Sequence, residues 1–326
     1  MKVSIIGAGA WGTALARLLQ KNGHETTLWA HNAESLETIR RTGVNERYLP
    51  GIKIPPACRL EKNLSAATAG VDGIVIAVPS KYFREVTSQL SDFSGLAVSV
   101  TKGIEYESGL TMSGVLRATM PRAVASALSG PTLALEVARG IPGAIVAANE
   151  NEEQARVVQK LFHCPTLRVY TSTDLVGVEL GGAIKNVLAI AAGTSDGLGF
   201  GDNSKAALVT RAIVELRRLG TACGAQPETF SGLSGVGDLV VTCFSRLSRN
   251  RGFGEKLGRG QSVDQILSQT VTVVEGYPTA RAAFRLARKL KVETPIIDEV
   301  HAILYDGKSA KVALHDLMSR DSKPED

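Results

Sequence analysis

The chain has 326 residues, 44% of them hydrophobic and 21% charged, which is long enough for two domains and ordinary for a soluble globular protein. Its formal charge of +5, with no long basic run, favours small anionic ligands and argues against a nucleic-acid partner. Cys58, Cys164, Cys223 and Cys243 lie far apart without metal-ligand spacing, and no uninterrupted apolar run reaches bilayer length, so reduced thiols, a cytoplasmic setting, no bound metal and no membrane insertion are expected.

Residues 3–6 read as a short apolar strand, and Gly7-Ala8-Gly9-Ala10-Trp11-Gly12 follows at once. Trp11, Leu15, Leu18 and Leu19 then recur at helical spacing until Gly23 stops the helix. In this strand–turn–helix setting Gly7 serves the tight turn and Gly9 lets the backbone approach a pyrophosphate. Gly12 lets helix and strand pack closely, while the helix N-terminus supplies positive amides. A second strand over 25–30 ends at His31-Asn32. An enzyme strict for NAD usually carries an acid there to hold the ribose hydroxyls. None is present, Glu34 lying just beyond, so NADPH is permitted beside NADH.

Strands over 73–78, 96–100, 123–128, 143–148 and 167–170 follow, near-continuous apolar runs alternating with helical segments. That pattern predicts an α/β fold with a doubly wound, mainly parallel sheet covered on both faces. The strand ends carry Pro79-Ser80, Thr101-Lys102-Gly103 and Ser129-Gly130-Pro131-Thr132. These are the short polar groups a phosphorylated ligand needs beyond the carboxyl ends of such strands. A dinucleotide-binding domain is expected over 1–180 and an all-helical substrate-binding and catalytic domain over 181–326.

The helical half opens on a helix over 183–192 that is apolar on every side, interrupted only by Lys185. The lysine either snorkels to water or is buried, and a buried ammonium must find an anion or give up its proton. Asp238, among the small and apolar residues of 232–243, poses the reverse question: a capping residue on a turn, or a buried carboxylate. Burying both would let each satisfy the other. Residues 244–251 form the one locally basic segment, a turn opening a helix with Arg249 and Asn250. It reads as a solvated face or as a cradle for a phosphate monoester or the cofactor's phosphates. A helix rich in Arg and Lys over 281–291 and a helical segment over 295–317 complete the chain.

These motifs in this order resemble the soluble NAD(P)-dependent glycerol-3-phosphate dehydrogenases in their bacterial form. The resemblance runs through residues 7–16, Thr101 to Glu105, Ser129 to Thr132 with Glu136 to Ala138, and Lys185 to Val187. It continues through 195–203, Gly237 to Leu239, Ser248 to Asn250 and Val274 to Gly276. It implies a Rossmann-type domain followed by a helical one, a homodimer, and reversible reduction of dihydroxyacetone phosphate to sn-glycerol 3-phosphate for glycerophospholipid synthesis. By motif, Lys185 resembles the catalytic lysine that exchanges a proton with the substrate oxygen, with Lys102 and Asp238 beside it. Lys102, Gly130, Thr132, Lys185, Asp238, Ser248, Arg249 and Asn250 match substrate positions. Ala10, Trp11, His31, Tyr48, Lys102, Ala134, Arg249, Val273 and Glu275 match cofactor positions, beside Gly7, Gly9 and Gly12. Ala10, Leu135 and Tyr277 depart from the family's usual residues without removing a group the chemistry needs. The rival readings are a related dehydrogenase acting on another small acid or sugar phosphate, and a nucleotide-sensing protein without catalysis.

Overall fold

The computed structural model describes residues 1–270, 272–322, 324 and 325. Strands and helices alternate through the first half: β1 (Lys2–Ile6), α1 (Ala10–Lys21), β2 (Glu25–Trp29), α2 (Ala33–Thr42), β3 (Arg59–Glu61), α3 (Leu64–Thr68), β4 (Gly73–Ile76) and α4 (Ser80–Ser88). They continue as β5 (Leu96–Ser99), α5 (Met112–Thr119), β6 (Val124–Ser129), α6 (Ala134–Arg139), β7 (Gly143–Ala148), α7 (Glu152–Phe162) and β8 (Leu167–Ser172). From there the chain is helical: α8 (Leu175–Gly197), α9 (Asp202–Ala222), α10 (Asp238–Phe244), α11 (Arg249–Gly258), α12 (Val263–Ser268), α13 (Gly276–Leu290), α14 (Pro295–Tyr305) and α15 (Ala310–Met318).

The eight strands form one sheet in the order β3-β2-β1-β4-β5-β6-β7-β8. Every neighbouring pair is parallel except β6 and β7, which run antiparallel from Ala127 opposite Ala148 to Ser129 opposite Val146. This is the Rossmann-type, mainly parallel sheet expected, followed by helices. The chain leaves β1 toward β2 and β3 and returns to β1's other side with β4, so the winding reverses between β1 and β4. A crevice opens beyond the strand ends at such a reversal. Central strands such as β4 and β5 are buried at every position, the mark of a sheet covered on both faces.

Three differences from the sequence reading have simple causes. Strand β3 is only Arg59-Leu60-Glu61, too short and polar to show as an apolar run. The segment 295–317 is two helices, separated at Gly307, whose φ of 71° leaves the helical region. The apolar helix placed at 183–192 runs from Leu175 to Gly197, capped at Asp174, whose carboxylate accepts from the Gly177 amide. At that length it is apolar enough to cross a bilayer, yet 89% of its most apolar window is buried inside the protein. It is the central helix of the second half, and residue 180 lies within it.

Helix α8 is held by backbone-to-backbone contact with α11. A Cβ added at Gly254 would sit 2.0 Å from the Ile190 carbonyl oxygen, and one at Gly193 would sit 1.9 Å from that of Arg251. Gly197 and Gly258 repeat the contact one turn on, at 2.2 Å from Glu255 and 2.3 Å from Thr194. Only glycine permits such an approach, and it locks α11 along the C-terminal turns of α8.

Candidate active site

The glycine turn is built to receive a dinucleotide. Gly7 has φ 122°, a conformation glycine alone adopts freely, and a Cβ there would meet the Ala77 carbonyl oxygen at 2.8 Å. A Cβ at Gly12 would lie 1.9 Å from the Gly7 oxygen, so α1 rests directly on the turn. Gly9 differs: nothing lies within 4 Å of its added Cβ. Its lack of a side chain serves no protein packing and leaves open space at the N-terminus of α1, where no side chain caps the amides. Free amides facing space fit a pyrophosphate. The Trp11 indole Nε1, buried and without a hydrogen bond, lies in the same first turn beside Ala10. His31 is exposed just after β2, Tyr48 is half-buried under the Arg47 guanidinium, and Ala134 opens α6.

Beyond the sheet the polar groups converge. Lys185, on the middle of α8, is buried at 6% exposure, and Asp238, the first residue of α10, is fully buried. A five-residue π-helical stretch, Leu233–Gly237, delivers Asp238. It sits close against α8, where a Cβ at Gly181 would lie 2.3 Å from the Ser234 oxygen. Both readings left open by the sequence are thereby decided: Lys185 does not snorkel, and Asp238 is not a surface cap. The lysine Nζ donates to Asp238 Oδ1, and to Thr242 Oγ1 at 2.7 Å. Lys102, on the loop after β5, donates to Asp238 Oδ2 at 2.6 Å and to the Gly130 carbonyl at 2.9 Å. One carboxylate therefore joins a lysine from each half. Burial lowers the Lys185 pKa to about 8, with Asp238 opposing and the Lys102 charge reinforcing that fall.

Other expected residues have structural partners. Gly130 has φ 151°, and a Cβ there would crowd Ile145, so the bend that presents its carbonyl requires glycine. Thr132 Oγ1 donates to that carbonyl at 3.1 Å. Ser248 caps α11, its Oγ accepting from the Arg251 amide at 3.2 Å. Arg249 donates through Nη1 to the Val273 carbonyl at 2.8 Å, and burial of its guanidinium lowers its pKa against the attraction of Glu275. Asn250 donates to Asn186 Oδ1 at 2.8 Å and accepts from the Gly276 amide at 2.9 Å, so much of its amide is used in bracing α11, α8 and α13 together. Glu275 accepts from the Ser80 amide and hydroxyl at 3.0 and 2.6 Å, latching the start of α13 to the start of α4. Burial raises the Glu275 pKa, and those two hydrogen bonds oppose the rise.

The sequence assigns no role of their own to Thr242 and Asn186, and marks Ser80 only as a polar group at a strand end. Thr242 follows Asp238 by one helical turn and Asn186 follows Lys185 directly, so helical periodicity was the available signal for the first and adjacency for the second. Nothing local marked Ser80 as the partner of a residue far along the chain.

Comparison with known proteins places this geometry. A family profile for the NAD-dependent glycerol-3-phosphate dehydrogenase N-terminus matches residues 2–155, and one for its C-terminus matches residues 174–315. Glycerol-3-phosphate dehydrogenase (NAD(P)+) of Geobacter sulfurreducens is 48% identical over 330 residues, 99% of this chain and 98% of that one. The protein of the same name from Syntrophotalea carbinolica is 47% identical, over 100% of this chain and 99% of its own. The crystal structure of glycerol-3-phosphate dehydrogenase from Coxiella burnetii superposes with a TM-score of 0.94 at 36% identity, covering 98% of this chain and 99% of that one.

Proposed function

The chain belongs to the NAD-dependent glycerol-3-phosphate dehydrogenase family, and from that premise we propose that it works with Lys185 as the group that moves the proton. It reduces dihydroxyacetone phosphate to sn-glycerol 3-phosphate with NADH or NADPH, reversibly. The observation that carries the mechanism is Asp238 shared between Lys185 and Lys102 beyond the strand ends.

The dinucleotide supplies the hydride that C2 of the substrate receives; the chain's own residues do the rest. The N-terminal amides of α11 and the Arg249 guanidinium hold the substrate phosphate and so place C2 near Lys185. Lys185 and Lys102 polarise the carbonyl oxygen. As the C=O π pair moves onto that oxygen, the Lys185 ammonium gives it a proton and is left as neutral amine. In the oxidative direction the neutral amine takes the hydroxyl proton. Asp238 and Thr242 fix where the Lys185 nitrogen points. With a pKa of about 8 the lysine can serve both directions near neutral pH.

The reading extends to the homodimer and cytoplasmic setting that the resemblance implies, with the product feeding glycerophospholipid synthesis. The four free cysteines are in keeping with a reducing compartment. Loss of nicotinamide absorbance with dihydroxyacetone phosphate, run in parallel with NADPH and NADH, tests the reaction. Rapid oxidation that disappears with unphosphorylated dihydroxyacetone is the expected result. Binding of both cofactors without turnover would leave a nucleotide sensor instead.

A further inference from the structure

Helix α13 turns Arg281 and Arg285 toward the loop that follows Lys102. Arg281 and Arg285 are one helical turn apart, and both guanidinium groups lie over the ring of Tyr106, at 4.3 and 5.4 Å from its centroid. Together with Arg288, Phe284, His301 and Tyr305 they line a groove of about 590 Å³. That is within the size of small-ligand sites, roughly 300–1,000 Å³.

The charges in this groove are not balanced. Arg288 is paired with Asp298 at 2.9 Å. Among the described residues, Arg281 and Arg285 have no carboxylate partner, and their contacts are with aromatic rings. Asp306, the acidic residue in the groove wall, lies 3.3 Å from His301 Nδ1, which is itself buried and makes no hydrogen bond. A guanidinium stacked on a ring uses its flat face and keeps its N–H edges free. Two guanidinium groups one helical turn apart, both within 5.4 Å of one ring centroid, suit the oxygens of a phosphate or diphosphate better than a single carboxylate. The rings meanwhile hold the arginines in place, which lowers the entropy lost on binding.

We propose that this groove is a second anion site, for a small ligand bearing one or two phosphate groups, separate from the catalytic crevice. Its walls come from both halves of the chain. Tyr106 lies four residues after Lys102, and Ile104 between them is buried in the core of the helical half. Glu105 in the same loop is gripped by Arg84 through two hydrogen bonds of 2.8 and 2.7 Å. A ligand on Arg281 and Arg285 therefore acts directly on the loop that carries Lys102.

Inorganic pyrophosphate is the probe, titrated calorimetrically into protein saturated with NADH and sn-glycerol 3-phosphate. Both partners are reduced, so no turnover occurs, and the phosphate-holding groups of the crevice are filled. One equivalent of pyrophosphate should still bind, and the double variant Arg281→Gln/Arg285→Gln should weaken it by about a hundredfold, roughly tenfold for each lost charge-assisted contact. The variant should keep the thermal midpoint and the basal kcat of wild type. Tyr106→Leu, which frees the two guanidinium groups from their ring, should weaken binding less than the double variant does. Absence of any pyrophosphate signal would overturn the proposal. So would binding that the double substitution leaves unchanged, because that signal would belong to the crevice.

Discussion

Asp238 and Glu215 are both buried carboxylates of the helical half, and they do different work. Glu215, on α9, is satisfied by backbone alone: its oxygens accept from the Ile296 and Ile297 amides, at 2.9 and 3.1 Å, in the first turn of α14. Burial raises its pKa to about 7, against those two hydrogen bonds. Asp238 is held instead by two lysines from opposite halves, one with its pKa lowered to about 8. A carboxyl group held by fixed amides closes a helix end and shares its proton with no neighbouring side chain. One held by ammonium groups tunes the pKa of a lysine proton, and that is the proton the proposed mechanism moves. Burial of charge is common to both regions; the partner makes one of them a site.

The largest expected effect is at the proton itself. Lys185→Ala should lower kcat by about 10²–10⁴-fold, the usual contribution of a general acid–base group, while cofactor affinity by fluorescence titration stays nearly unchanged. Turnover within about tenfold of wild type would remove Lys185 from the chemical step. Asp238→Asn should come next, because it leaves Lys185 and Lys102 facing each other without their counter-charge; kcat should fall with little change in cofactor binding. Glu215→Ala sharpens the contrast. It orphans two buried amides, at about 1–3 kcal/mol each by denaturant unfolding, yet should leave kcat per folded molecule intact. The milder Glu215→Gln tests the linkage. The native carboxyl holds its proton up to about pH 7, above its unfolded value. Wild-type stability should therefore fall as pH rises from the ordinary carboxyl range through about 7, and level off above; the variant should lack that slope.

Much of the first half was legible because its rules are local. The glycines of the turn, the apolar strands and their polar ends sit where strand-to-helix chemistry demands, and 7–12 in its strand–turn–helix setting carried the dinucleotide reading. Lys185 was legible as an anomaly, one charge on an all-apolar helix. Apart from the pairing of Lys185 with Asp238, offered because each buried charge needs a partner, how distant segments meet could not be read. The close seam of α8 on α11 is written as two glycine pairs four residues apart, Gly193 with Gly197 and Gly254 with Gly258, whose meaning appears only when the helices face each other. Asn250 illustrates the same limit: its motif marked it for phosphate, while the fold engages its amide with Asn186 and Gly276. Glu275 gave no local sign that Ser80 would be its partner, because their meeting depends on the docking of the two halves.

The most direct test of the central claim is the pH dependence of kcat in both directions, for wild type and Lys102→Met. Under the proposed mechanism, neutral Lys185 is needed for oxidation and its ammonium for reduction. The oxidative rate should therefore climb to a plateau through a limb near the Lys185 pKa of about 8, and the reductive rate should fall across the same limb. Lys102→Met removes a like charge and leaves Asp238 to Lys185 alone, so both limbs should move upward together, by about one unit. Rates without a limb in that range, or limbs that stay put in Lys102→Met, would contradict a proton carried by Lys185 and tuned by its neighbour.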